Sequence, residues 1–257
     1  MNKINYLLSL NNFFDHIYVI TLKRATDRHE HFKKELDGLE YSVFFGMDKK
    51  EFDVTELIKS GIYDEVLAKK NDRYGKSMQS GALGCSWSHQ LVYRDIVKHN
   101  YKNALILEDD IVINSSTIML LPEILKELPQ NWELFYLGFE KNEQAPAASD
   151  LKKLFYHILS KFGAIKFSNK MIGNLYPKKI SEHIYKAGYH NCTHAYGITK
   201  EAAAKLSALQ TPISFVADHL LAYAATNEIV KSYIILPKII DQLYQVSNAQ
   251  QHSYLNE

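Results

Sequence analysis

The chain has 257 residues, enough for one large α/β domain or two small ones, and its 46% hydrophobic content is ordinary for a globular protein. Thirty Lys and Arg nearly balance 29 Asp and Glu, and a formal charge of +1 lacks the bulk electrostatics of a dedicated nucleic-acid binder. Cys85 and Cys192 carry no paired spacing, so neither a disulfide framework nor a cysteine zinc site is signalled, and a reducing cytoplasmic setting is expected. Asn5, Ser9, Asn11 and Asn12 interrupt the apolar residues of segment 1–14, which has no cleavage signal. No run reaches the roughly 20 apolar residues of a membrane-spanning helix.

Residues 17–22 and 41–45 read as strands, 82–99 as a helix and 104–107 as a strand. A helix follows over 115–127, with Ser115 or Ser116 as its cap, and then a strand over 133–138. The runs at 104–107 and 133–138 are continuous rather than alternating, as expected of central strands covered on both faces. Further on, 194–199 and 229–236 read as strands, and 200–209 and 217–226 as helices. Pro237 places the last strand near a sheet edge. This is α/β ordering, expected as one domain over 1–257 with an insertion at about 140–190. Within that insertion, Lys152, Lys153, Lys161, Lys166, Lys170, Lys178 and Lys179 stand among Leu, Ile, Phe and Tyr, and segment 151–180 has no acid.

The strand at 104–107 runs straight into Glu108, Asp109 and Asp110. Adjacent carboxylates repel unless water or a cation screens them, and such oxygen clusters suit Mg²⁺ or Mn²⁺. Open α/β sheets bind ligands beyond the carboxyl ends of their strands, where these acids fall. If the extended backbone continues, Glu108 and Asp110 point to one side as metal ligands, leaving Asp109 for a neighbouring or sugar contact. Asp109 and Glu108 could exchange roles, and a solvated acidic turn is the plainer alternative.

Three motifs carry a resemblance: Ile17-Tyr-Val-Ile-Thr-Leu-Lys-Arg24 with Asp27-Arg28, Gly81-Ala-Leu-Gly-Cys-Ser-Trp-Ser-His89, and Leu105-Ile-Leu-Glu-Asp-Asp110. With Phe44-Phe45 and Asp48, His194-Ala-Tyr-Gly-Ile-Thr199 and Asp218-His-Leu-Leu221, they make the chain resemble glycosyltransferase family 25 outside segment 140–189. The family includes bacterial lipooligosaccharide galactosyltransferases. The resemblance implies a GT-A-like fold, with a mostly parallel Rossmann-like sheet flanked by helices, and an inverting enzyme using nucleotide-sugar donors. Glu108-Asp109-Asp110 then takes the place of the Asp-any-Asp element that holds the metal and donor diphosphate, with Glu at its first position.

On that reading a cation, Mn²⁺ or Mg²⁺, stabilises the charge gathering on the departing diphosphate. Thr21, Lys23, Arg24 and Arg28 would meet the donor, Arg28 its phosphates, and Asp48 the base or ribose. Gly84, Ser88, His89 and Asp109 are further donor-site candidates. Inversion requires a base for the acceptor hydroxyl, and Asp218, an acid opening an apolar helix, is the candidate. Its plainer role is a helix cap. His219 and His252 are alternative third metal ligands.

The implied donor is a UDP-hexose, UDP-galactose first with glucose the nearest competitor, and the implied acceptor a lipooligosaccharide or other lipid-linked glycan. A metal-dependent phosphoester hydrolase using His89 and a non-catalytic nucleotide- or glycan-binding module are the competing classes. The lysines of 151–180 suggest peripheral contact with an anionic membrane, or a helical insertion with its amines in water.

Overall fold

Residues 3–246 are described by a computed structural model. The chain opens with α1 (Lys3–Phe13), β1 (His16–Thr21), α2 (Thr26–Glu35) and β2 (Ser42–Phe45). Two short helices, α3 (Val54–Lys59) and α4 (Glu65–Asn71), precede the long α5 (Ser80–His99). Then come β3 (Asn103–Glu108), β4 (Ile111–Ile113), α6 (Leu121–Glu127) and β5 (Leu134–Glu140). The segment beyond β5 holds α7 (Ser149–Lys161), α8 (Asn169–Gly173), β6 (Lys178–Lys179) and β7 (Ile184–Lys186). Last are β8 (Asn191–Thr199), α9 (Lys200–Leu209), α10 (Ala217–Thr226), β9 (Ser232–Ile235), β10 (Ile240–Gln242) and α11 (Leu243–Val246).

The main sheet has the order β2-β1-β3-β8-β5-β9-β7-β6. Following its pairings, β2, β1, β3, β5, β9 and β6 run one way and β8 and β7 the other, so the strand set is mostly parallel. Strand alternation sorts the apolar residues into two cores. Ile17, Val19, Leu105, Leu107, Phe135 and Leu137 join Leu7, Leu10, Phe32, Leu121 and Ile124 of α1, α2 and α6. Tyr18, Ile20, Ala104, Ile106, Leu134 and Tyr136 face Val92, Tyr93, Ile96, Leu206 and Leu220 of α5, α9 and α10. Burial on both faces explains why the strand runs are continuously apolar.

β9 is two strands in from the β6 edge, near it but not itself the edge strand, because β5 pairs on one side and β7 on the other. Pro237 falls after the last paired residue, Ile235, so its missing N–H removes nothing from the ladder. Nor does Ser115 or Ser116 cap a helix. The Asn114 side chain accepts from the Ser116 N–H and hydroxyl at 3.1 and 2.6 Å, a 3₁₀ turn covers Ile118–Leu120, and α6 begins after it. The insertion lies partly in the sheet, since its β6–β7 hairpin extends the edge beyond β9. A two-stranded sheet, β4 with β10, stands beside the end of β3 and brings Gln242 opposite Ile111.

Candidate active site at the acidic strand end

Ala104, Ile106 and Glu108 share the β3 face that looks onto α5. β3 stops at Glu108 and Asp109-Asp110 form a turn, so the alternation that would align Glu108 with Asp110 ends before it can act. The three acids border a cleft of about 510 Å³, within the range of small-molecule sites. Thr21 of β1, Asp48 and Lys49 after β2, the first turns of α5 and α10, and Cys192 and Thr193 of β8 complete its wall.

The acids are held unequally. Asp109 accepts from the Thr21 hydroxyl at 2.6 Å, and its Oδ1 lies 3.6 Å from Arg28 Nη1. Asp110 Oδ2 lies 3.1 Å from the same nitrogen and Oδ1 accepts from Gln242 at 3.2 Å. Two carboxylates thus converge on one buried guanidinium. Burial raises the Asp109 pKa to about 7, Thr21 and Arg28 oppose that rise, and the neighbouring Asp110 and Glu108 charges reinforce it. One guanidinium is shared between the two aspartates. Glu108 is turned away, its Oε1 accepting from Thr193 at 2.5 Å and lying 3.3 Å from His89 Nε2. Burial pushes its pKa up, but His89, Thr193 and His194 outweigh that and hold it below the usual range.

His89 Nδ1 meets the Tyr196 hydroxyl at 2.7 Å, and that hydroxyl lies 2.9 Å from Tyr93, so a buried relay fixes the ring that fixes Glu108. The Ser86 and Ser88 hydroxyls donate back to Ala82 and Gly84 of their own helix, and His89 bonds neither. No serine–histidine nucleophile pair forms there. Ser88 also accepts from the Met47 N–H at 2.8 Å, pinning the loop that carries Asp48. Gly84 acts by its size, because a Cβ would come within 2.5 Å of the Met47 carbonyl. Asp48 is buried and held by the Arg24 guanidinium, with Nε at 2.5 Å, and by the Lys50 N–H. Burial pushes the Asp48 pKa up, yet those bonds bring it below the usual range. Lys23 is exposed, and neither it nor Arg24 nor Gly84 lines the cleft.

Across the cleft, Asp218 stands in the first turn of α10. Cys192, at φ +71°, directs its N–H to Asp218 Oδ2 at 3.4 Å, while Oδ1 is buried without a hydrogen-bond partner. Asp218 does not serve as the N-cap, which is Val216, and the helix has no side-chain cap. α5 likewise opens without one, after Gln79. Two helix N-termini with uncapped first turns therefore face this space. His219 Nε2 is 4.0 Å from Asp218 Oδ1 but lines smaller pockets beside Tyr189 rather than this cleft, and His252 lies outside the described residues.

Sequence reasoning missed Cys85, Thr193, Tyr196 and Gln242. Cys85 and Tyr196 sit inside the motifs at 81–89 and 194–199 and were legible as positions without roles. Cys85, His89 and Glu108 bring ligand atoms within 4.8 Å of one another, although burial among the acids pushes the Cys85 thiol pKa well up. Thr193 and Gln242 have no local signal, being brought in by strand pairing.

The α/β sheet with helices on both faces and acids at a central strand end is the architecture the motifs implied. A family model described as glycosyltransferase family 25 (LPS biosynthesis protein) matches residues 14–221, and the chain belongs to that family. Human procollagen galactosyltransferase 2 is 28% identical over 131 residues, 49% of this chain and 21% of its own length. A glycosyltransferase 25 family member of Drosophila melanogaster is 29% identical over 168 residues, 59% of this chain and 27% of its own. A bovine relative named as a probable inactive member matches at 28% over 131 residues, 49% of this chain and 22% of its own. The chain thus spans roughly a quarter of the length of the curated relatives it matches. Mouse xyloside xylosyltransferase 1, apo form, overlaps 84% of this chain and 62% of that one at 13% identity and a TM-score of 0.35, too distant to carry an argument.

Proposed function

We propose that this family 25 glycosyltransferase is an inverting, divalent-cation-dependent hexosyltransferase that moves galactose from UDP-galactose to a lipooligosaccharide or other lipid-linked glycan. The carrying observation is convergence on one cleft of three strand-end acids, a buried arginine and two uncapped helix N-termini. First-turn N–H groups of a 20-residue helix, with its dipole, suit the diphosphate of a nucleotide sugar. Asp109 and Asp110 are the pair whose oxygens already meet around one cationic atom, so they are the proposed ligands of Mn²⁺ or Mg²⁺. When bound, that ion supplies charge stabilisation to the leaving diphosphate. Glu108 then braces the floor through His89 and Thr193, and Asp48 is placed for the base or ribose.

Asp218 takes the acceptor proton. Its Oδ1 lacks a partner, and the Cys192 N–H on Oδ2 orients the carboxylate. Galactose is favoured by the procollagen galactosyltransferases among the relatives, and a surface glycan by the family's description as LPS biosynthesis proteins. Both ring nitrogens of His89 are engaged by Tyr196 and Glu108, which weighs against its assisting a metal-bound water in phosphoester hydrolysis, and the paired site acids weigh against an inert module. A panel of UDP-hexoses with truncated lipooligosaccharide, read by mass, tests the reading. Acceptor mass rising by one hexose with UDP released is expected. Phosphate release without acceptor, or nucleotide binding without turnover for every donor, would overturn it.

A further inference from the structure

Beyond β5, α7 stands on the outside of the molecule with no buried residue. Leu151, Leu154, Phe155 and Ile158 on it, and Phe162 just past its end, are 69%, 57%, 54%, 47% and 80% exposed. At about 100° per residue their spacing lays all of them along one face. Tyr156 and Leu159 occupy a different arc and pack on the small core around Phe167 and Ile172. That arc anchors the helix, so the exposed stripe is a second apolar face rather than an ill-seated core face.

Amines flank the stripe. Lys152 and Lys161 are exposed and fall on either side of the stripe at that spacing, whereas Lys153 falls on the opposite face, and Lys152 and Lys153 reach the Tyr176 ring at 5.5 and 5.8 Å. Exposed Lys178, Lys179 and Ile180 follow Tyr176 directly. Asp150 lies in the first turn of α7, segment 151–180 has no acid, and Glu182 follows two residues beyond Ile180. An exposed apolar stripe bordered by long amines matches a bilayer interface, where apolar side chains enter the acyl boundary and lysine heads reach up to lipid phosphates. A second copy of this chain is a poorer match, because two-fold packing would set these lysines against their own equivalents.

We propose that α7 docks this protein on an anionic lipid bilayer, with Leu151, Leu154, Phe155, Ile158 and Phe162 in the apolar layer and Lys152 and Lys161 on headgroup phosphates. None of these residues lines the cleft, so binding to lipid and sugar transfer are separately measurable. Flotation of the full chain with vesicles of phosphatidylcholine, with and without phosphatidylglycerol, tests it. The protein should float with the anionic vesicles, and Phe155→Ser with Phe162→Ser should cut that partition roughly tenfold or more. Lys152→Gln with Lys161→Gln should cut it severalfold and lower its sensitivity to salt. Circular dichroism checks that each variant is folded, and the lysine variant decides if the serine variant is not. Equal flotation with neutral vesicles, or undiminished flotation in folded variants, overturns the proposal. So does a dimer in light scattering that Phe155→Ser with Phe162→Ser converts to monomer, since the stripe would then be a subunit interface.

Discussion

Two carboxylate clusters in this molecule use similar residues and behave in opposite ways. At the sheet edge, Glu127, Glu182 and His183 bring ligand atoms within 4.8 Å of one another. There Glu127 accepts from the Ser181 hydroxyl at 2.5 Å, the His183 N–H at 3.0 Å and the His183 ring at 2.6 Å. The Ser181 bond and then the His183 bonds bring its pKa down to about 2. In the cleft, burial and the charges of Asp110 and Glu108 lift Asp109 to about 7 against the help of Thr21 and Arg28. A carboxylate supplied with donors ties α6 to the turn before β7. A buried one with like charges beside it is costly to hold, which is why the cleft is the proposed place for a cation.

The strongest way to break that contrast is at the far wall of the cleft. Asp218→Asn is expected to lower the transfer rate by about 10²–10⁴ while leaving UDP affinity unchanged, since general-base losses are of that order. Near-normal turnover would remove Asp218 from the chemistry. Next is Asp109→Asn in EDTA. The unfolded Asp109 releases its proton near pH 4 and the folded one near pH 7, so wild-type stability falls as pH rises between them. The variant should therefore gain on the order of 1–3 kcal/mol above pH 7 and little below pH 4. Denaturant melts at both pH values read it, and a loss at pH 8 would contradict the strain assigned to this group. Smallest is Glu127→Ala, which leaves Ser181 and His183 short of their acceptor and should cost ~1 kcal/mol at pH 7. Glu127 has a depressed pKa, so its contribution stands above pH ~4.5 and fades as pH falls towards about 2. A pH-independent difference between wild type and variant would break the contrast from the structural side.

Much of this is legible in the sequence itself. β1, β3, β5 and β8 announce themselves because burial on both faces demands unbroken apolar runs, and α5, α9 and α10 because their buried faces recur at helical spacing. The acids at the end of β3 stood out because like charges in a row need a reason. Other features depend on partners far away in sequence. β4 and β10 are three residues each and mean little until paired, yet they bring Gln242 to Asp110. Arg28 reads as a phosphate ligand on its own helix, and only packing shows it committed to Asp109 and Asp110. The turn at Asp109-Asp110 likewise defeats a period-two argument that holds as far as Glu108. Lysine content sets segment 151–180 apart in the sequence, but composition alone does not show which of its apolar residues face outward.

The central claim, that Asp109 and Asp110 hold a divalent cation and through it a nucleoside diphosphate, is tested most directly by calorimetry of UDP binding with Mn²⁺ and with EDTA, in wild type and in Asp110→Asn. UDP should bind wild type roughly tenfold or more tightly with Mn²⁺, and the folded Asp110→Asn variant should lose that dependence. Equal UDP affinity with Mn²⁺ and EDTA in wild type, or an undiminished Mn²⁺ effect in Asp110→Asn, would contradict it.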